Sequence, residues 1–221
     1  MADTEHERRE RILRTAEDLI TRQGYDKTSI SDIADEVGLG RGLIYLLYKN
    51  KDEILEALIR QELIGYVRAW IEHIEADPRG GTIGGIYRAV LHAINQRPFM
   101  AALMRRDRRL WGAYLRKPGS VLASLQAASP GTGLFEALQA VGAIRADADP
   151  VVSAHILDLL SYGMVTLGEL RLPETLPPFE AVLETLGDML DRLLTPEDGG
   201  NIEGGKAVIR DLAARSLSQL M

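Results

Sequence analysis

The tightest constraint in this chain lies between Ile30 and Leu47. Its apolar residues are spaced for two short helices crossing at a turn, a pattern that amphipathic helix pairs also share. Ile33 and Val37 share one face of a first helix, and Ala34 is small enough to sit where two helices touch. Gly38 falls in the turn, Leu39 points inward after it, and Ile44 and Leu47 anchor a second helix. A helix-turn-helix asks for this set: a small contact residue, a turn glycine and a few inward positions. Ser29 and Asp32 are spaced as a capping box at the start of the first helix.

The remaining chain keeps the same helical period and carries no sustained alternation of the kind a strand needs. A helix is predicted over about 7–23, with Ile12, Ala16, Leu19 and Ile20 on one face and Gly24 to end it. A long helix runs from Asn50 to about Ala76. Further helices are predicted near 82–95, 98–106, 107–115, 134–141, 150–170, 179–194 and 206–220. Breaks fall at Arg79-Gly80-Gly81, at Ser129 to Gly133, at Pro173, Pro177 and Pro178, and at Gly199-Gly200 with Gly204-Gly205, which reads as a flexible hinge.

Composition narrows the function classes. The chain has 221 residues, 46% of them hydrophobic, which is enough for a sizeable core. It has no cysteine, so disulfides, thiol nucleophiles and thiolate metal sites are excluded. The first residues are charged rather than signal-like, and no continuous apolar run approaches the ~18 residues of a membrane span. A soluble, cytoplasmic protein with no membrane partner is the expectation. The net charge of −6 does not mark a general nucleic-acid scaffold, although a small reading head needs only a local positive face.

Catalysis has little support. No phosphate-binding glycine loop follows a strand, and no nucleophile motif occurs. His155 and Asp158 share a helix face, but two ligands fall short of a metal site. No catalytic residue, metal or cofactor is expected.

The stretch from Arg8 to Leu58 carries more than the helix pair. Arg11 to Ala16, Gly24-Tyr25, Thr28-Ser29-Ile30, Asp32-Ile33-Ala34, Val37-Gly38, Tyr45 and Asn50-Lys51 together resemble the DNA-binding domain of the TetR family of repressors. That resemblance implies residue roles. Thr28 and Ser29 would meet a phosphate at the start of a helix. Tyr45 would lie along the DNA backbone, and Lys51 would add a phosphate contact. Gly40, Arg41, Gly42 and Leu46 would face the major groove, with Arg41 suited to a guanine. The chain departs from the family pattern at Gly40, where Ser or Thr is usual, at Leu43, where a small polar residue is usual, and at Leu46 and Leu47, where polar or aromatic residues usually follow the tyrosine. Leu47 is a core anchor, and Leu46 suits a thymine methyl instead.

The C-terminal part matches that family only in being helical. Wide apolar stripes over 150–170 and 179–194 include Ile156, Leu160, Met164, Leu167, Val182, Leu186, Met189 and Leu193. They suit a four-helix bundle between two copies, or else a large internal core. Tyr66, Trp70, Tyr87, Leu91, Phe99, Met104, Trp111 and Tyr162 could line an apolar effector cavity or simply pack a core. The expected fold is all-α. A three-helix helix-turn-helix domain (1–50) would precede a helical effector-binding and dimerisation domain (51–221). The function implied is a homodimeric regulator, a repressor, that binds double-stranded palindromic operator DNA and is released by a hydrophobic or aromatic small molecule. The alternative is a helical ligand-binding or protein-interaction module without DNA binding.

Overall fold

The computed structural model describes residues 4–121, 131–170 and 176–221, the side chains of 168–170 excepted. Every regular element among them is helical. The order is α1 (Glu5–Gln23), α2 (Ile30–Val37), α3 (Arg41–Leu47), α4 (Lys51–Ala76), α5 (Ile83–Asn95), α6 (Pro98–Arg105) and α7 (Arg108–Trp111). A 3-10 segment (Gly112–Arg116) follows, then α8 (Gly131–Ala140), α9 (Pro150–Leu170), α10 (Phe179–Leu194) and α11 (Ile202–Leu220). The chain divides into two compact units, with α4 contributing to the first through Leu63 and to the second from Ile64.

In the first unit α1 packs on α2 and α2 on α3. Thr4 and Glu7 close a capping box at the head of α1. Gly38 takes a left-handed conformation (φ 72°) and its N–H returns to the Ala34 carbonyl, which ends α2 at the expected turn. Ile12, Ala16, Ile33, Ala34, Ile44, Ile54 and Leu55 are buried. This unit also captures α7 and the 3-10 segment, which lie far along the sequence. The Tyr25 N–H donates to the Leu110 carbonyl (2.8 Å), and the Ala113 N–H donates to the Asp26 carboxylate (3.1 Å). Trp111 and Tyr114 are fully buried there.

The second unit is built on α5, which packs along α10, and on α9, which packs on α8 and α6. Arg88 of α5 is only 7% exposed. Its guanidinium meets Asp191 at 3.3 Å, Asp188 at 3.5 Å and Glu184 at 3.8 Å, all on α10. A cation this enclosed persists because carboxylates surround it. The helices come close because Gly84 and Gly187 lack side chains: a Cβ on Gly84 would stand 2.2 Å from the Gly187 carbonyl.

Two sequence expectations change here. Gly204 and Gly205 form no hinge, because α11 begins at Ile202 and includes both. Gly205 is buried where α11 crosses the Arg79 to Thr82 turn, with Gly81 opposite. Likewise Gly131 and Gly133, read as part of a break, open α8, while Ser129 and Pro130 lie outside the described residues, as does Pro173. A third change concerns α9. Its stretch Pro150–Leu167 is long and apolar enough to cross a bilayer, with mean hydropathy 1.3. Reading continuous runs misses it, because Ser153, His155, Asp158 and Ser161 interrupt the apolar residues.

Candidate nucleic-acid interface

Helix α3 presents two opposed faces. Ile44 is buried, with Leu43 and Leu47 half-buried beside it. Arg41, Gly42, Tyr45 and Leu46 fall on the other side at helical spacing and are exposed, Tyr45 at 54% and Leu46 at 81%. Gly40 caps the helix from an extended conformation and is also exposed. The residues expected to face a groove therefore share one solvent-facing surface, held from behind by the Ile44 anchor.

The residues expected to meet phosphate are placed differently from one another. Ser29 is exposed and caps α2: its Oγ accepts from the Asp32 N–H at 3.2 Å and donates to the Asp32 carboxylate at 2.7 Å. Thr28 is 1% exposed, and its hydroxyl donates to the Gly24 carbonyl at 2.9 Å. The Thr28 side chain thus ties the turn after α1 rather than offering its hydroxyl to solvent. The reason is local: Gly24 (φ 87°) exposes its carbonyl within reach, and a buried hydroxyl must find an acceptor. Lys51 is half-buried, standing 3.9 Å above the Tyr25 ring and donating to the Tyr25 carbonyl at 2.7 Å. Burial pulls its ammonium below the ordinary lysine value. Its first task is to fasten the start of α4 to the α1–α2 turn.

Around Lys51 lies a polar cluster that motif reading did not find. The Tyr25 hydroxyl donates to Asp52, Lys117 pairs with Asp52, and Lys117 lies 3.9 Å from Glu56. Tyr25 and Tyr114 stack tilted at 5.5 Å. Tyr114 and Lys117 come from a segment outside any recognisable motif, so spacing gives no signal for them. Lys27 and Lys49 are exposed cations beside α2 and α3.

The capping box makes one measurable statement. Hydrogen bonds from Ser29 hold the Asp32 carboxyl below its ordinary value, with Arg41 and Lys51 adding to the effect. A depressed carboxylate contributes stability that is complete above the unfolded value of ~3.9 and is lost as pH falls through the folded one. Carboxyl-carbon NMR should show Asp32 titrating below the ordinary aspartate range, and returning toward it in Ser29→Ala. An unshifted Asp32 in the parent protein would refute the capping geometry.

Residues expected to line an effector cavity do not converge on one. Trp70, Tyr87 and Leu91 belong to the core of the second unit, with Tyr66 packed against it. Phe99 is buried in α6. Trp111 is buried in the first unit instead, and Met104 and Tyr162 are exposed, the latter at 62%. An aromatic or methionine residue has the same pattern in sequence whether it packs a core, lines a pocket or faces solvent. A cleft of about 780 Å³ does open in the second unit, with mixed walls that include Ile144, Pro196, Arg145, Asp147 and Arg192 and none of the expected residues.

The residues expected at a dimer interface divide in two. Ile156, Leu167, Met189 and Leu193 are exposed. Leu160, Met164, Val182 and Leu186 are half-buried, and of these Leu160, Met164 and Leu186 pack against the core. Val151, Val152 and Leu159 extend the exposed apolar surface of α9.

A three-helix head whose third helix turns one face to solvent, followed by a helical domain, defines a class of helix-turn-helix proteins. Residues 12–58 match the bacterial regulatory proteins of the tetR family. The head of the chain is therefore similar to the DNA-binding domain of that family. An uncharacterized HTH-type transcriptional regulator in the lacX 3' region of Lactococcus lactis subsp. lactis is 38% identical over 66 residues, 30% of this chain and 32% of that protein. The fatty acid metabolism regulator protein of Bacillus subtilis (strain 168) is 33% identical over 64 residues, 29% and 33% of the two chains. The chain thus spans about a third of the length of these curated relatives. Likeness in fold reaches further. The transcriptional regulator FadR from Bacillus subtilis, solved in complex with stearoyl-CoA, superposes with a TM-score of 0.58 at 20% identity, covering 81% of this chain and 96% of that one. The ketosteroid transcriptional regulator KstR2 of Mycobacterium tuberculosis gives 0.57 at 17% identity, covering 89% and 98%.

Proposed function

We propose that this protein is a ligand-responsive transcriptional repressor that binds a palindromic operator as a homodimer. One observation carries the reading. On a scaffold matching the TetR head, Arg41, Gly42, Tyr45 and Leu46 share the exposed face of α3 opposite buried Ile44. A helix of this shape fits the major groove of B-DNA, and two such helices about 34–36 Å apart read an inverted repeat. In this reading Arg41 donates a bidentate pair to guanine, Tyr45 lies along the backbone, and Ser29, Lys27 and Lys49 approach phosphate. Lys51 holds the start of α4 in place for them.

The dimer is supported by the exposed apolar residues of α9 and α10. Gly163 lies in the same helix, and a Cβ there would have no neighbour within 4 Å, which leaves room for a close helix approach. The length and hydropathy of α9 also suit a membrane, but Asp158 lies near the middle of the stretch, a costly place for a carboxylic side chain. A second copy is the better occupant. The effector would be an apolar molecule taken up by the helical second unit; the fold's likeness to a regulator solved with stearoyl-CoA supports that class. It acts by preferring one arrangement of the dimer over another.

Selection of bound duplexes from a random library tests the reading. Enrichment of an inverted repeat with half-sites about one helical turn apart is the expected result. A folded, dimeric protein that enriches nothing would overturn it in favour of a ligand-binding or interaction module.

A further inference from the structure

We infer that α3 reads a thymine by its C5-methyl group, which enters a notch beside Gly42 and closes against Leu46. The inference rests on the DNA-reading assignment above and names what that face recognises.

The first observation is that Gly42 is not needed by the protein's own fold. Its φ is not positive, and a Cβ built on it would meet nothing within 4 Å. Neither strain nor crowding demands glycine there, and glycine inside a helix is less stable than alanine. A missing side chain at an exposed helical position is useful where something external comes close to the backbone.

The second observation is the neighbour. Leu46 is one helical turn on from Gly42 and is 81% exposed, the largest exposure of any bulky apolar side chain in α3. Helical side chains lean toward the N-terminus, which sets Leu46 on the Gly42 side of this face, while the space a Gly42 Cβ would fill stays open to 4 Å. The bare backbone of Gly42 and the leaning Leu46 side chain bound a shallow apolar notch.

The third observation is the chemical inventory of this face. Arg41 and Tyr45 supply its only side-chain hydrogen-bonding groups, and neither Gly42 nor Leu46 supplies one. In the major groove the four base-pair orientations present acceptors, donors and a single apolar group, the thymine methyl. A notch without a donor or acceptor can discriminate only through that group. Arg41 adjoins Gly42 in sequence, so a half-site holding a guanine for Arg41 and a thymine for the notch follows.

Deoxyuridine isolates the claim, because it removes the methyl and keeps every hydrogen-bonding group of thymine. With the selected operator, each thymine is replaced in turn by deoxyuridine and the dissociation constant measured for the full-length protein. One position per half-site should weaken binding about fourfold, the equivalent of ~0.8 kcal/mol for one buried methyl-sized group. In Leu46→Ala that penalty should vanish. Gly42→Ala should leave thermal stability equal or higher, weaken binding to the thymine duplex, and bind the deoxyuridine duplex at least as well. Uniform tolerance of deoxyuridine, or a penalty that persists in Leu46→Ala, would overturn the inference while leaving the DNA-reading assignment intact. A protein that selects no duplex at all overturns both.

Discussion

Gly81→Ala should unfold the second unit or come close to it, with a loss on the order of 4 kcal/mol or more. A Cβ on Gly81 would stand 1.8 Å from the Ile202 carbonyl oxygen and 2.9 Å from the Lys206 amide nitrogen. Both are backbone atoms, so no side chain can turn away to make room. Gly205 mirrors the contact, because its own Cβ would lie 2.0 Å from the Gly81 carbonyl oxygen. Seated this way, α11 brings the Lys206 ammonium to the Glu75 carbonyl at 3.2 Å, where it neutralises the C-terminal end of α4. Arg210 adds a pair to the Glu75 carboxylate at 2.6 and 3.1 Å. Moving α11 outward to admit one methyl group would therefore disturb the end of α4 as well. Denaturant unfolding followed by circular dichroism measures the loss. Gly133→Ala is the control: it is exposed in α8 with nothing within 4 Å, and should be neutral or stabilising by up to ~1 kcal/mol. If Gly81→Ala unfolds like the parent, the glycine pair is not what seats α11.

That pair also marks where the sequence stops being informative. The helix-turn-helix was legible because each of its constraints is local. Ile33, Ala34, Val37, Gly38 and Ile44 lie within a few turns of one another, and each residue type has one physical reason to be there. Gly204 and Gly205 lack such a reason in their own neighbourhood. A glycine kept for flexibility and a glycine kept for close approach are identical letters, and only Gly81, over a hundred residues earlier, distinguishes them. The clamp on Arg88 has the same character, since Asp188 and Asp191 lie about as far along the chain. Capture of Trp111, Tyr114 and Lys117 by the first unit is also non-local and leaves no periodic trace. Within the candidate interface, the exposed face of α3 was readable from helical spacing. The inward turn of the Thr28 hydroxyl and the seating of Lys51 on Tyr25 were not. Both depend on where the Gly24 and Tyr25 carbonyls point, which is a property of the folded turn rather than of the motif.

Replacing Ile156 and Leu159 together with glutamate should convert the proposed dimer to a folded monomer. Both side chains are open to solvent, at 48% and 60%, so little of the protomer's own core depends on them. They lie on one face of α9 with Val152 and Gly163, at the three- and four-residue steps that bring helical side chains together. Burying one leucine or isoleucine fully is worth about 1.5–3 kcal/mol, and a two-fold interface counts each substitution twice. Four lost apolar contacts and four unpaired carboxylates should raise the dissociation constant by more than about 10⁴-fold. Sedimentation velocity at micromolar concentration should then report the mass of one chain, with helical content unchanged. Operator binding should fall with it, since a single head can occupy only one half-site and forfeits the gain from joining the two. The loss should reach at least ~100-fold on a full inverted repeat and be much smaller on an isolated half-site. A variant that stays dimeric would move the interface away from α9. One that becomes monomeric yet keeps its operator affinity would mean that the two heads read DNA independently, and an effector could then no longer act through the arrangement of the dimer.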